Sequence, residues 1–281
     1  MRLRLIDWNI GRGRHVEKSA LLRSTMAETS GAIVVALQEV TPSAVPHYVA
    51  LFDDGKVACS LAHRPPGPFD GGNRELGVMV GVVGAELERS SVLTNAPYPD
   101  RTLAAWFRLQ DRHIHILAAH ALTGVDYGRT KGDQFRALLT HLCAEELSHA
   151  PRLFALDANE PFVDAWDPAA SEFAKRRGKG AALLFGASAP HGLSDALRVW
   201  LDARPNVAAE LRKARPDGPL VVSHRTRTRD CRYDQCWISD DWHVEDVDYR
   251  YGAAVEAGSD HALVVVDLAL VAKDLPRDAS T

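Results

Sequence analysis

Residues 33–39 read Ile-Val-Val-Ala-Leu-Gln-Glu, a run of apolar residues followed by an amide and a carboxylate. An uninterrupted apolar run, rich in β-branched residues, predicts a strand that is buried on both faces. Such a strand belongs to a sheet that is covered on both sides. Gln38 and Glu39 end the run, at a point where a loop can present side chains to a cleft. The stretch therefore predicts a layered fold with a polar edge.

The same succession recurs along the chain. Residues 263–266 are again continuously apolar, and residues 112–116 alternate polar with apolar side chains, as in a half-buried strand. The polar residues at the ends of these and other strand candidates are acids, amides and two histidines, with no candidate serine or cysteine nucleophile among them. They are Asn9, Gln38, Glu39, His120, Asp157, Asn159, Asp234, Asp260 and His261. Loops at strand ends present such side chains to a shared cleft.

Helical candidates separate some of the strands. Residues Glu17–Thr29 and Asp133–Leu147 place apolar side chains at helical spacing. Strand candidates outnumber helical ones, and several follow each other with no helix between them. We therefore expect an α/β fold, a sandwich of two mixed β-sheets flanked by helices. No segment is long or low-complexity enough to link two domains, so residues 1–281 are expected to form a single domain.

Composition narrows the classes of function. The chain has 281 residues, 33 Lys and Arg against 37 Asp and Glu, and a formal net charge of −4. No apolar run approaches the ~18–20 residues that cross a membrane, and the N-terminus carries no signal-peptide pattern, so we expect a cytoplasmic protein without a membrane partner. The 4 cysteines are too scattered for a disulfide scaffold or a zinc site. Mild acidity argues against a protein that coats nucleic acid non-specifically, but it permits a local basic patch.

The strand-end residues suit hydrolysis of a phosphoester with the help of a hard metal ion. Mg²⁺ takes oxygen ligands, which Glu39 with Asp260 or Asp157 can supply. A histidine backed by a carboxylate can activate water, because the carboxylate orients the ring and stabilises the imidazolium. His261 with Asp234 is the candidate for such a pair.

The ordered set of motifs resembles the endonuclease/exonuclease/phosphatase superfamily of deoxyribonuclease I-like and exonuclease III-like metal-dependent phosphoesterases. The set runs Trp8-Asn9, Leu37-Gln38-Glu39, Ala119-His120, Leu156-Asp157-Ala158-Asn159, Tyr233-Asp234 and Ser259-Asp260-His261. Each motif is weak alone, whereas six of them in the family's order are a strong signal. The chain departs from the family pattern in lacking a glycine before Asp157 and a proline after Ala262, and in carrying Asp7 where many members have a small residue.

The resemblance implies a metal side of the site. Glu39 is similar to the family's principal metal ligand, and Asn9 stands where the family uses an asparagine to hold metal or scissile phosphate. Asp260 adds a carboxylate on this side. The implied cofactor is Mg²⁺ or Mn²⁺, with one ion or two left open.

The resemblance also implies catalytic roles. Asp157 and Asn159 are expected to orient the attacking water and the phosphate. His261 and Asp234 resemble the family's His–Asp pair, and His120 resembles the second histidine of its deoxyribonuclease and sphingomyelinase branches. Whether His261 or Asp157 activates the water stays open at this stage.

Two further residues match the family pattern only by their position just before a predicted strand. Glu75 resembles the acid that pairs with the second histidine, and Arg101 resembles a phosphate-contacting arginine. For both residues a purely structural role is an equal alternative.

Two basic clusters flank these motifs, at residues 175–179 and 224–229. If the second is extended, Arg225, Arg227 and Arg229 share one face and can bind a nucleic-acid backbone. The alternative is a solvated loop, the usual form of a charge run.

The motifs and the basic clusters together predict a metal-dependent phosphodiester hydrolase, a nuclease that cleaves DNA by in-line attack of an activated water. One alternative is a phosphatase or phosphodiesterase for a small or lipid phosphoester, such as an inositol phosphate, a nucleotide or a sphingomyelin-like lipid. Another is a non-catalytic member that binds nucleic acid or protein. The choice between DNA and RNA, and between endo- and exonucleolytic action, is left open by the sequence.

Overall fold

A computed structural model describes residues 1–52, 56–63, 75–173 and 178–271. Its strands are β1 (Arg2–Asn9), β2 (Ala32–Val40), β3 (Val57–Cys59), β4 (Gly77–Val83), β5 (Glu86–Ser91), β6 (Thr102–Leu109), β7 (Arg112–His120), β8 (Arg152–Asp157), β9 (Ser194–Asp195), β10 (His224–Arg225), β11 (Asp230–Cys231), β12 (Asp234–Ile238), β13 (Trp242–Arg250) and β14 (Leu263–Leu270). Its α-helices are α1 (His15–Ala27), α2 (Val45–Val49), α3 (Gly124–Leu142), α4 (Gly178–Phe185), α5 (Ala196–Asp202), α6 (Pro205–Ala214) and α7 (Tyr251–Ala257).

The strands form two six-stranded mixed sheets, which confirms the predicted architecture. The first sheet has the order β13-β14-β1-β2-β4-β3, and the second has the order β5-β6-β7-β8-β12-β9. Each sheet contains one parallel pair, β1 with β2 and β7 with β8, and its other neighbours are antiparallel. A helix connects each parallel pair, α1 in the first sheet and α3 in the second. Strands β10 and β11 form a separate hairpin.

The continuous apolar run in β2 is buried on both faces, as the sequence predicts. Val34 and Ala36 lie in the core between the sheets, whereas Ile33, Val35 and Leu37 belong to a second core that includes apolar residues of α1 and α7. Alternate side chains of an extended strand point to opposite faces, so two buried faces require apolar residues at every position. This burial holds the end of β2 at a defined place.

Two elements differ from the sequence-based prediction. The helix predicted at Asp133–Leu147 begins earlier, at Gly124, with a break at Gly128, and ends at Leu142. Strand β5 was not predicted, because it lies at a sheet edge and carries mostly polar, exposed side chains. Among the described residues, no helix is long and apolar enough to cross a membrane.

Candidate active site

The strand-end residues meet at one edge of the sandwich. Strands β1 and β2 are parallel, so Asn9 at the end of β1 is in register with Gln38 near the end of β2. The parallel pair β7 and β8 likewise brings His120 opposite Asp157. Strand β12 runs antiparallel to β8 and places Asp234 opposite Asp157. Strand topology thus gathers residues that are far apart in the chain.

His261 and Asp234, together called the His261 corner, form a buried pair. His261 Nδ1 lies 3.0 and 2.9 Å from the two carboxylate oxygens of Asp234. Burial lowers the pKa of His261, but the charges of Asp234 and Asp157 outweigh this effect and raise it to about 10. We assign the proton of this pair to His261, which is therefore an imidazolium at neutral pH.

Asp157 is the central carboxylate of the site. Its Oδ2 accepts hydrogen bonds from Asn9 Nδ2 at 2.9 Å and from Asn159 Nδ2 at 3.2 Å, and its Oδ1 accepts one from the Asn159 main-chain N–H at 2.9 Å. Nε2 of His120 and Nε2 of His261 lie 3.6 and 3.9 Å from the same Oδ2. Burial alone would raise the pKa of Asp157, yet the two histidines and these hydrogen bonds lower it. Asp157 is thus a carboxylate.

His120 and Arg101, together called the His120 corner, carry the opposite arrangement. Arg101 Nη1 lies 3.2 Å from His120 Nδ1 and 3.4 Å from Nε2, and a guanidinium can only donate, so one ring nitrogen of His120 is an acceptor. Burial and the charge of Arg101 lower the pKa of His120 to about 3, so this ring is neutral. With Nδ1 as the acceptor, Nε2–H faces Glu39 and Asp157, each at 3.6 Å.

Glu39 provides a carboxylate that is open to a cation. It lies in a β-bulge of β2 and adopts a left-handed conformation with φ of 58°, and its side chain is 25% exposed. Burial and the charge of Asp157 raise the pKa of Glu39, and the charges of His261 and Arg101 offset this effect only in part. Asn9 Nδ2 lies 3.5 Å from Glu39 Oε1. Carboxylate and amide oxygens are the donors that Mg²⁺ and Mn²⁺ prefer, so Glu39 fits such an ion; the Asn9 amide oxygen, which accepts from the Gly11 main-chain N–H at 3.0 Å, has a second lone pair left.

Asp260 lies on the outer side of the His261 corner. Its side chain is 73% exposed, and its main-chain oxygen lies 3.0 Å from His224 Nδ1. Ligand atoms of His224, Asp260 and His261 lie within 4.8 Å of one another. Asp260 is therefore accessible to a cation in solution.

Lys18 contributes a buried ammonium to the part of the site that contains Glu39 and Asp260. It projects from α1, and its Nζ donates to the main-chain oxygen of Arg12 at 3.1 Å. Burial lowers its pKa, while the charges of Asp260 and Glu39 oppose this effect. The ammonium thus lies within reach of both carboxylates. The sequence contained a signal for the burial of Lys18. Its spacing from Leu22 and Thr25 places the three residues on one face of α1, and this face is buried.

No protein-family model and no curated protein matches this sequence. Solved structures do match. TDP2 of D. rerio, complexed with single strand DNA product, aligns with a TM-score of 0.63 at 15% identity, covering 95% of this chain and 99% of that chain. The catalytic domain of human Nocturnin, with bound sulfate anion, aligns with a TM-score of 0.62 at 16% identity, covering 96% and 95%. Truncated TDP2 of Caenorhabditis elegans aligns with a TM-score of 0.60 at 13% identity, covering 95% and 98%.

The chain has the deoxyribonuclease I-like fold. This is the fold of the endonuclease/exonuclease/phosphatase superfamily that the ordered motifs resemble.

In the described part of the chain, Glu75 does not contact His120, the second histidine. Glu75 is exposed, and no hydrogen bond or ion pair joins it to His120 within the described chain. The carboxylates that face His120 are Glu39 and Asp157. The predicted pairing of Glu75 thus has no contact to support it among the described residues and stays a prediction, because a position just before β4 does not fix where the side chain points.

Arg225, Arg227 and Arg229 do not share one extended face. Residues 226–229 form the turn between β10 and β11. Arg225 pairs with Asp230 at 3.0 Å, Arg227 is exposed at the turn, and Arg229 is directed to Phe162, whose main-chain oxygen accepts from its Nη1. The phosphate-binding stripe predicted from alternation is wrong for this geometry. The basic cluster at residues 175–179 lies outside the residues whose side chains are described.

Lys131 and Gln134 support the deoxyribonuclease I-like site from α3. Lys131 Nζ donates to the main-chain oxygen of Asn159 at 2.8 Å and lies 3.6 Å from Glu160 Oε1. Gln134 Nε2 donates to the main-chain oxygen of His120 at 3.0 Å. Sequence reasoning missed both residues, although Lys131 lies four residues before buried Phe135 and Gln134 four residues before buried Leu138, a spacing that places them on the inward face of α3.

Asp7 and Gln38 form a buried layer beneath the site. Gln38 Nε2 donates to Asp7 Oδ1 at 2.6 Å, and both side chains are fully buried. Burial, together with the charges of Asp234 and Asp157, raises the pKa of Asp7 well above its usual range. Asp7 is therefore a neutral acid, unlike Asp157 and Asp234.

Proposed function

We propose that this chain, as one catalytic domain, is a metal-dependent phosphodiester hydrolase and specifically a nuclease that cleaves DNA. The observation that carries the proposal is the convergence of two histidines on one oxygen of Asp157, at 3.6 and 3.9 Å, beside the accessible carboxylate of Glu39. A phosphodiester needs a positioned water, positive charge for the developing negative charge on its oxygens, and a proton for the leaving oxygen. The cluster contains groups for each need.

Glu39, Asn9 and Asp260 would hold Mg²⁺ or Mn²⁺. The bound ion would polarise the phosphate oxygens and stabilise the charge that develops on them.

The side chains of Asp157, His261 and His120 would have different roles in the reaction because they differ in charge. The Asp157 carboxylate is oriented by Asn9 and Asn159 and can accept a proton of the attacking water. The His261 imidazolium offers positive charge to the phosphate and a proton for the leaving oxygen. His120 is neutral and, with Nδ1 as the acceptor of the Arg101 bond, could donate a hydrogen bond from Nε2 to the substrate, while Arg101 supplies positive charge behind it.

The choice of DNA as substrate is supported by the D. rerio TDP2 neighbour, whose structure holds a single strand DNA product. Exposed Arg227 at the tip of the β10–β11 hairpin adds positive charge close to His224, which stacks on His261. Such charge favours a polyanion.

The test is a plasmid-nicking assay with Mg²⁺ or Mn²⁺, run beside an EDTA control. We expect metal-dependent nicking that disappears in His261→Ala and persists in His243→Ala, a matched change of an exposed histidine in β13. Nicking that survives His261→Ala would contradict the site assignment. A folded protein that does not nick would direct the search to inositol phosphates, nucleotides and phospholipid headgroups.

A further inference from the structure

A series of side-chain contacts, three of them with aromatic rings and one a hydrogen bond, leads outward from His261. The rings of His261 and His224 stack with centroids 4.4 Å apart, and the rings of His224 and Tyr233 stack at 5.6 Å. The Tyr233 hydroxyl accepts a hydrogen bond from Arg229 Nη2 at 3.1 Å. The Arg229 guanidinium lies over the ring of Phe162, 3.7 Å from its centroid. The series thus ends in a guanidinium and an aromatic ring that lie face to face.

Phe162 is exposed in a way that the fold does not require. Its side chain is 51% exposed, and it is the one aromatic residue among the large hydrophobic side chains that are exposed in the described part of the chain. It follows Asn159 by three residues, in the loop after β8. Arg229 holds this loop, since its Nη1 donates to the main-chain oxygen of Phe162. A planar apolar surface is thus presented in a fixed position near the site.

We propose that Phe162 and Arg229, together called the stacking platform, bind a nucleobase of a single-stranded substrate. The base belongs to a nucleotide that flanks the scissile phosphate at His261. The proposal rests on the proposed function, because it adds a binding subsite to that reaction.

The surroundings of the platform favour a base over a phosphate. Nη1 and Nη2 of Arg229 already donate to Phe162 and Tyr233, and one face of the guanidinium lies on the Phe162 ring, so a base would stack on the exposed part of that ring. The adjoining cavity is also lined by exposed Asp217, and by Asp164 and Asp230, whose carboxylates are paired with Arg232 and Arg225. The Asp217 carboxylate can accept a hydrogen bond from the amino group of a base.

The platform also favours a single strand over a duplex. A base must leave its own stack before its face can lie on a protein side chain. Stacking of this kind tolerates every base, because each has a π-face. The platform would therefore add affinity for single strands without specifying a sequence.

The test compares Phe162→Ala with Phe162→Trp and with Leu183→Ala, a matched loss of an exposed apolar side chain from α4. Binding of a short fluorescein-labelled single-stranded DNA is measured by anisotropy in EDTA, at one salt concentration. We expect Phe162→Ala to raise the Kd about tenfold, within the range for one stacked base. Phe162→Trp and Leu183→Ala should remain near the wild-type value, and a duplex of the same sequence should show no dependence on Phe162.

A second measurement separates this proposal from the proposed function. Hydrolysis of bis(p-nitrophenyl) phosphate by the wild type and by Leu183→Ala, a change outside the proposed site, measures the hydrolytic activity by itself. A wild-type protein that fails to cleave any diester would overturn the proposed function. An active enzyme whose Kd for the single strand is the same in wild type and Phe162→Ala would overturn the stacking platform alone. A 2-aminopurine placed beside the scissile phosphate should be quenched by wild type and not by Phe162→Ala, and equal quenching would also overturn it.

Discussion

The His261 corner and the His120 corner approach the same oxygen of Asp157 from two sides and carry different charges. Both rings are buried, so burial alone would make both neutral. His261 faces the carboxylate of Asp234 and has a pKa raised to about 10, whereas His120 faces the guanidinium of Arg101 and has a pKa lowered to about 3. Burial lowers the pKa of both rings; the carboxylate behind His261 reverses this effect, whereas the guanidinium behind His120 adds to it.

The largest expected effect comes from removing the charge behind His261. Asp234→Asn keeps the shape of the side chain but deprives the imidazolium of its main stabilising partner, so we expect the hydrolysis rate to fall about 10³-fold or more. Initial rates on a phosphodiester substrate measure this loss, and NMR titration of His261 should show a lower pKa. A rate within tenfold of wild type would show that the charge of His261 is dispensable.

A smaller loss is expected at the His120 corner. His120→Ala removes a hydrogen-bond donor next to Asp157 and should lower the rate about 10²-fold. His120→Gln should retain more activity than His120→Ala, because an amide N–H can donate where neutral imidazole does. Kinetics of the two variants side by side test this order. Equal losses would contradict the role of His120 as a neutral hydrogen-bond donor.

The two corners should also respond to pH with opposite signs. Below pH ~6.5 an unfolded His120 binds a proton that the folded ring does not, so it lowers stability as the pH falls toward 3, by about 1.4 kcal/mol per pH unit. His261 contributes stability that is complete below pH ~6.5 and is lost as the pH rises through about 10. Urea unfolding of the protein in EDTA, from pH 4 to 9, measures both effects.

The matched variants isolate each histidine. His120→Gln should flatten the acid side of the stability profile and leave the alkaline side unchanged, whereas His261→Gln should do the reverse. Identical profiles for the two variants would contradict the opposite charges assigned to the two rings.

The smallest effect is expected at Asp7. Because Asp7 is a neutral acid, Asp7→Asn should preserve its hydrogen bond with Gln38 and change the free energy of unfolding by less than about 1 kcal/mol. Asp7→Ala should cost about 1–3 kcal/mol, since it leaves the buried amide of Gln38 without this bond. Chemical denaturation and hydrolysis rates check both variants. A loss of activity in Asp7→Asn as large as in Asp234→Asn would show that Asp7 is ionised.

The pairing of His261 with Asp234 could be predicted from sequence, whereas the partner of His120 could not. His261 and Asp234 each stand in a motif beside an apolar strand, and strand register then brings them together. Glu75 also stands beside a strand, yet it points into solvent. Position next to a strand determines where the backbone lies, and it leaves the direction of a side chain in the neighbouring loop undetermined.

The directions of the arginine side chains between β10 and β11 were likewise not determined by the local sequence. Alternation would place Arg225, Arg227 and Arg229 on one face, but a turn between β10 and β11 sends them to different partners. Arg229 and Phe162 are 67 positions apart, and no local pattern signals their contact.

The layered sheets and the set of residues at their common edge can be predicted from the chain, because apolar periodicity and strand ends are properties of neighbouring residues. Which of these residues carry charge depends on how the sheets pack. The pKa of Asp7, His120 and His261 depends on burial and on charges that approach through space, and the electrostatic energy of such groups varies with distance and local dielectric. Those distances exist only once the two sheets have packed together.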